Sequence, residues 1–481
     1  MRPAAAILLG IAPLIVSCGD RRPSAEPVKL PGNRAPASSA APLPAASGRE
    51  LVAQLGCAGC HPGVGAANEA RERAPSLTDI GARRSPGYIF AYLADPSRAS
   101  SGDARARMPD FHLDESERLA LALYLGTLRG DGARTEHLVG NTLSKAESRA
   151  LDDAFGRARE RHPTATAAVG ERIFASLDCA ACHALPGATR WLAGPDLAAE
   201  GTRVKVEWLR DFLAKPSAIR PFGSYVGAGS RMPDFHLSES EVDSLVAYLG
   251  AMRTKLAPAD SLPELSVFRE HEVESLLRDR LPCLGCHRLR DDGGRIGPDL
   301  TDVGARLQPA YIQGIVQDPQ HFVPGTIMPR VPIPPREAAR LVAYLASLDS
   351  PRSQRSDSAR AGYLSLVDNA SALPADGDDA GALYGRICSN CHGKRGDGDG
   401  WNAAYLPVRP TVHSDAKYMS TRSDHTLHDG IAAGGYILDR SNRMPPFGET
   451  LSGAQIDSLV HYIRTLCDCE GPAWSRDGAS Q

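Results

Sequence analysis

The sequence predicts an all-α fold of four tandem domains. Two observations lead there. No segment sustains the period-two alternation of apolar and polar residues that marks a half-buried strand. A Cys-x-x-Cys-His motif recurs four times, each copy followed by similar helical signals. The chain has 481 residues, and about 150 residues per domain suggests roughly three domains or more. Hydrophobic residues are 42% and charged residues 23%, a soluble globular balance that excludes a wholly disordered chain. Lys and Arg number 54 against 57 Asp and Glu, a formal charge of -3, so there is no basic excess to bind a nucleic-acid backbone. Aromatic residues are 6%, thin for several packed cores. The eleven cysteines cannot form a closed set of internal disulfides, because their number is odd.

The first element is the N-terminus. Met1-Arg2-Pro3 precedes an apolar run from Ala4 to Val16 and then Ser17-Cys18-Gly19-Asp20. One positive charge, a short apolar run and small residues at its exit fit a secretory signal peptide over 1–17. The run is short for a transmembrane helix. Ile15-Val16-Ser17-Cys18 resembles the lipobox of bacterial lipoproteins, which implies cleavage before Cys18 and a lipid on it. Residues 18–48 are rich in Pro, Ala and Ser without helical or strand period, and read as the lipid anchor and its tether. The expected location is therefore outside the cytoplasm, on the periplasmic side of a membrane.

Next come the repeats. The motifs are Cys57-Ala58-Gly59-Cys60-His61, Cys179-Ala180-Ala181-Cys182-His183, Cys283-Leu284-Gly285-Cys286-His287 and Cys388-Ser389-Asn390-Cys391-His392. Multiplying residue frequencies predicts roughly 0.01 such motifs by chance. First cysteines are 122, 104 and 105 residues apart, a tandem spacing. Each of the first three motifs is followed by Pro-x-Leu, at Pro75, Pro195 and Pro298. Gly81 to Pro96, Gly201 to Pro216 and Gly304 to Pro319 each span 15 residues, with Tyr88, Trp208 and Tyr311 at the same offset. This reads as one packed helix used three times. Met-Pro follows at Met108, Met232, Met328 and Met444, and then a last amphipathic helix. Asp114 with Glu117, Ser238 with Glu241, and Ser452 with Gln455 are capping signals at its start. The domains are expected at about 49–130, 164–254, 265–349 and 378–467. Segment 131–163 could hold a short connecting helix, and 350–377 reads as a linker.

Two thiols separated by two residues can bond to the two vinyl-derived carbons of one haem, and the following His can ligate the iron. A zinc site would need paired C-x-x-C units close together in one small domain. A thioredoxin-like dithiol would need a βαβ context. Neither is offered by this sequence. The haem-attaching residues are thus Cys57, Cys60, Cys179, Cys182, Cys283, Cys286, Cys388 and Cys391, with His61, His183, His287 and His392 as iron ligands.

With a later Met-Pro and a closing helix carrying Tyr-Leu or Tyr-Ile, the four segments resemble class I c-type cytochromes. The resemblance implies that the Met sulfur is the second iron ligand, pairing His61 with Met108, His183 with Met232, His287 with Met328 and His392 with Met444. It also implies that each ligand His donates its other ring nitrogen to a carbonyl, by position those of Pro75, Pro195, Pro298 and, in the fourth repeat, Pro407 or Pro410. The fourth repeat, with Gly393 to Gly398 and Arg443-Met444-Pro445-Pro446-Phe447, resembles the cytochrome c domains of respiratory-complex subunits. In the third repeat His321 is a conceivable rival ligand. Met252 and Met419 read as packing residues.

Four covalent c-type haems with both axial positions filled imply an electron carrier, a tethered tetrahaem cytochrome without a catalytic residue of its own. Its expected partners are redox proteins: a quinol-oxidising complex, a dehydrogenase or a terminal oxidase. Two alternatives share the same haems. One is a peroxidase-like enzyme with an open site in the third repeat. The other is a cytochrome subunit of a dehydrogenase or quinol-oxidising complex. His112 and His236 read as surface or haem-edge groups, and His413, His425 and His428 as solvated. Cys467 and Cys469 could bridge, pair with another chain or remain thiols.

Overall fold

The computed structural model describes residues 48–61, 74–96, 108–130, 144–183, 195–216, 232–256, 262–349 and 379–476. Signal peptide, Cys18 and most of the tether lie outside these residues. The fold is all-α, as expected. Among the described residues the strands are a two-residue hairpin, β1 (Arg288–Leu289) with β2 (Asp292–Gly293). No helix among the described residues is long and apolar enough to cross a membrane.

Helix α1 (Gly48–Gln54) leads into a 3-10 turn at Cys57–Gly59. Then come α2 (Ile80–Arg83), α3 (Pro86–Tyr92) and α4 (Glu115–Thr127). A charged helix α5 (Lys145–Arg161) follows, where a short connector was expected. Helix α6 (Ala167–Ser176) leads to the second motif, a 3-10 turn at Cys179–Ala181. The second body holds α7 (Glu200–Arg203), α8 (Val206–Ala214) and α9 (Glu239–Ala251). The third repeat holds α10 (Val267–Asp279), α11 (Cys283–Cys286), α12 (Val303–Arg306), α13 (Pro309–Gln317), α14 (Pro319–Phe322) and α15 (Pro335–Ser347). The fourth has α16 (Ala380–Ile387), α17 (Ser389–His392), α18 (Ala416–Met419), α19 (Asp424–Ala433) and α20 (Gly453–Cys467), with α21 (Ala473–Arg476) after it.

The sequence explains the closing helices. Asp114, Ser238 and Ser452 each form a reciprocal capping box with Glu117, Glu241 and Gln455, which satisfies two otherwise unpaired N–H groups at each start. Helix α15 instead begins on Pro335. The single helix expected after each Gly-x-Arg is two short helices. The chain is extended at Arg84, Val204 and Leu307. In the first and third repeats a proline then opens the next helix and disfavours helical backbone at the residue before it. Val204 and Leu307 also pair with each other. Lys205 N–H donates to Arg306 at 2.8 Å and Gln308 N–H to Arg203 at 2.9 Å, which joins the second and third repeats.

The bodies of the first two repeats hold together internally. Gly81 N–H donates to Leu128 O at 2.8 Å and Gly201 N–H to Met252 O at 2.9 Å. Their attachment segments, however, are exchanged. Helix α1 packs on α9 of the second repeat, and α6 packs on α4 of the first. Leu51 and Val52 share a core with Val242, Leu245 and Leu249. Ile173 and Phe174 share one with Leu119 and Leu125. In the third and fourth repeats α10 packs on α15 and α16 on α20, each within its own repeat.

Candidate functional site

The four motifs form tight turns whose cysteines face into packed protein. Burial raises their thiols, Cys57 to about 12, Cys283 to about 11 and Cys388 to about 12. Burial also pushes Cys179, Cys286 and Cys391 up. A thiol so suppressed is a poor nucleophile or redox dithiol. A neighbouring motif adds to the effect. Cys182 raises Cys57 and Cys60 raises Cys179, while Cys391 raises Cys286. The motifs therefore approach in pairs, first with second and third with fourth. Even so, among the described residues no three His, Cys, Asp or Glu gather as a metal cluster would require.

Each motif histidine donates from Nδ1 to a backbone carbonyl. The partners are Pro195 for His61 and Pro75 for His183, both at 3.0 Å, Pro298 for His287 at 2.8 Å and Thr411 for His392 at 2.9 Å. A carbonyl can only accept, so the proton sits on Nδ1 and the lone pair on Nε2, as an iron ligand requires. Burial lowers His61, His183 and His392 from the ordinary imidazole value, which favours the neutral form. Of the expected acceptors only Pro298 serves its own repeat's histidine. Pro75 and Pro195 are exchanged because the attachment segments are exchanged. In the fourth repeat Thr411, one residue beyond Pro410, takes the role expected of Pro407 or Pro410.

Met108 packs in the core that contains Cys179, Met232 in the core that contains Cys57, and Met444 in the core that contains Cys388. Met328 is half-buried and, among the described residues, is not one of those packed against the core of the third repeat. His321 is exposed on α14, turned edge-on to Phe322. Met252 and Met419 are packing residues, Met419 fully buried.

The Met-Pro loops of the first two repeats lie back to back. Asp110 and Asp234 exchange backbone hydrogen bonds at 2.9 and 2.8 Å. Their carboxylates accept from the backbone of His112 at 2.6 Å and His236 at 2.7 Å. Both histidines have left-handed backbone with φ 50. The third and fourth motifs meet through Asn402, whose side chain donates to Gly285 O at 2.9 Å and accepts from Arg295 N at 2.7 Å. A Cβ on Gly285 would overlap the Arg443 carbonyl, so glycine permits this contact.

The residues fit a haem on grounds beyond the motif. Trp208 Nε1 is buried without a hydrogen-bond partner, and Trp208 packs in the core that holds Cys57 and Met232. An acidic ring substituent would complete it. Arg443 Nη1 is likewise buried and unpartnered.

His413 is not solvated. It is buried, stacks on His392 with ring centroids 4.1 Å apart, and lies 3.0 Å from the Tyr384 hydroxyl. Its place in a loop of unpatterned sequence concealed that role. Cys467 and Cys469 are bonded to each other at the end of α20. His425 is exposed and His428 partly so.

Comparison with known proteins accords with this geometry. Residues 45–129, 167–253 and 280–349 match the cytochrome c family model. Residues 375–463 match the model for cbb3-type cytochrome c oxidase subunit III. No curated protein sequence matches the chain. A solved chain of the Kuenenia stuttgartiensis reducing HAO-like protein complex is similar at 18% identity, over 43% of this chain and 99% of that one, with a TM-score of 0.16.

Proposed function

The chain belongs to the cytochrome c family, and from that membership we propose a membrane-tethered tetrahaem carrier that shuttles electrons between respiratory partners. Several cytochrome c domains make it a multihaem electron-transfer protein. The finer reading is one haem at each motif, four in all. The observation that carries it is the shared imidazole arrangement, in which all four motif histidines give Nδ1–H to a carbonyl.

When bound, each haem supplies an iron that cycles between Fe(II) and Fe(III), one electron at a time. The protein's residues do the rest. The paired cysteines would hold the macrocycle by thioether bonds. The carbonyl fixes each imidazole ring and its tautomer. Met108, Met232, Met328 and Met444 would supply sulfur to the irons, which would raise the potential and leave no position for substrate. The paired approach of the motifs supports electron exchange within each pair.

Attachment is proposed through a lipid on Cys18, with 18–48 as tether and the haem domains on the periplasmic side. The fourth repeat's likeness to a cbb3-type oxidase subunit supports a terminal oxidase or quinol-oxidising complex as partner. A second reading, a haem enzyme with an open site in the third repeat, draws on the position of Met328 outside the core.

The test is a haem count by pyridine haemochrome with the intact mass of the protein. Four haems per chain support the reading, and fewer overturn it. Cys18→Ala is expected to move the protein from the membrane to the soluble fraction, whereas retention in the membrane would contradict the lipid anchor.

A further inference from the structure

Helix α5 decides where the second haem-attachment segment goes. It is fastened to the first repeat's body. Ala158 is fully buried in that core, and Phe155 meets Phe90 edge-on at 6.0 Å between ring centroids. At its end Arg161 and His162 hold Glu115, at 3.2 and 3.1 Å, on the first turn of α4. Only residues 162–166 separate α5 from α6, a reach of roughly 20 Å at most. Helix α6 is thereby delivered to the body of the first repeat. The first motif is carried by α1, which packs on α9. It takes the corresponding place on the second body.

We propose that this exchange extends to the irons. The haem held by Cys57 and Cys60 takes His61 and Met232 as ligands, and the haem held by Cys179 and Cys182 takes His183 and Met108. Three observations converge on it. The His–carbonyl bonds are reciprocal across repeats. Met232 shares a core with Cys57, and Met108 shares one with Cys179. The two Met-Pro loops are bonded to each other through Asp110 and Asp234. Each of the first two haem sites is then built from both repeats, so that neither repeat completes a site alone. The exchange of equivalent elements is domain swapping within one chain. This rests on the His/Met reading of the haems and specifies which sulfur serves which iron.

The full-length holoprotein carrying Cys179→Ala/Cys182→Ala lacks the second haem. In that background Met232→Ala is expected to turn one haem high-spin and remove its far-red Met–Fe(III) band, while Met108→Ala leaves the spectrum unchanged. The reverse result overturns the exchange and keeps His/Met ligation. If neither substitution changes the spectrum, His/Met ligation of the first haem itself is wrong. A second measurement avoids losing a haem. In the intact ferrous protein, methyl NOEs from Val52 are expected to residues of α9. NOEs to α4 in their place would overturn the proposal.

Discussion

Phe174 and Tyr124 are 50 positions apart and belong to different repeats, yet their rings are 5.6 Å apart with a tilted geometry. Phe174 is 3% exposed in the core built around α4. If the exchange were absent, Phe174 would sit on α9, whose Tyr248 holds the place equivalent to Tyr124. A double-mutant cycle separates the two cases. Phe174→Leu and Tyr124→Leu retain apolar bulk, and each is expected to lower stability by up to about 1.5 kcal/mol. An aromatic pair contributes about 0.5–1.5 kcal/mol beyond area burial, so the double variant should lose less than the two singles together by that amount. A coupling near 1 kcal/mol is about a fivefold change in an opening equilibrium. Global unfolding of a multidomain chain is not two-state. Hydrogen exchange of 115–127 and 167–176, read by mass spectrometry, reports their local opening instead. Phe174→Leu with Tyr248→Leu should be additive within about 0.5 kcal/mol. Coupling to Tyr248 together with additivity at Tyr124 would refute the exchanged packing.

Two further perturbations follow. Glu115 is held below the usual carboxylate range by hydrogen bonds from Arg161 and then His162, opposed by partial burial. A lowered folded-state value means its contribution is intact above about pH 4.5 and lost as pH falls through the folded value. The site is a third exposed, so about 0.5 kcal/mol is expected after solvent screening. Glu115→Gln should therefore reduce exchange protection of 145–161 about twofold at pH 7 and flatten its acid dependence; equal protection in both proteins at pH 7 would contradict the fastening of α5. Separately, Cys283→Ala/Cys286→Ala should cost the third repeat its helicity, because so small a domain buries little core without a covalent macrocycle. Native far-ultraviolet dichroism in that variant would show that the haem is dispensable for folding.

Much of this architecture was legible in the sequence where local chemistry decides it. The capping boxes at Asp114, Ser238 and Ser452 form as their residue types require. Pro298 accepts from His287 as its position after the motif suggested. The exchange between the first two repeats was not legible, because the exchanged segments are equivalent. Leu119 and Leu245 offer the same kind of face, and periodicity cannot say which attachment helix docks on which. The information lies in a tether, the five residues between α5 and α6, whose effect appears only once α5 is seen packed on Phe90 and Glu115. The division of 201–216 into two helices was also hidden in part, since the extended Val204 is fixed by a partner over a hundred residues away, Leu307. Thr411 in place of the proline beside it is a difference of one residue in a loop, below what spacing resolves.

The central claim is that every motif holds a haem whose iron is closed by His and Met. The direct measurement is a spectroelectrochemical titration of the oxidised protein, with the far-red Met–Fe(III) band and low-spin resonance signals integrated against the haem count. The account predicts four haems, all low-spin, each contributing that band and each exchanging one electron. A high-spin component, or a band smaller than the haem count requires, would contradict it.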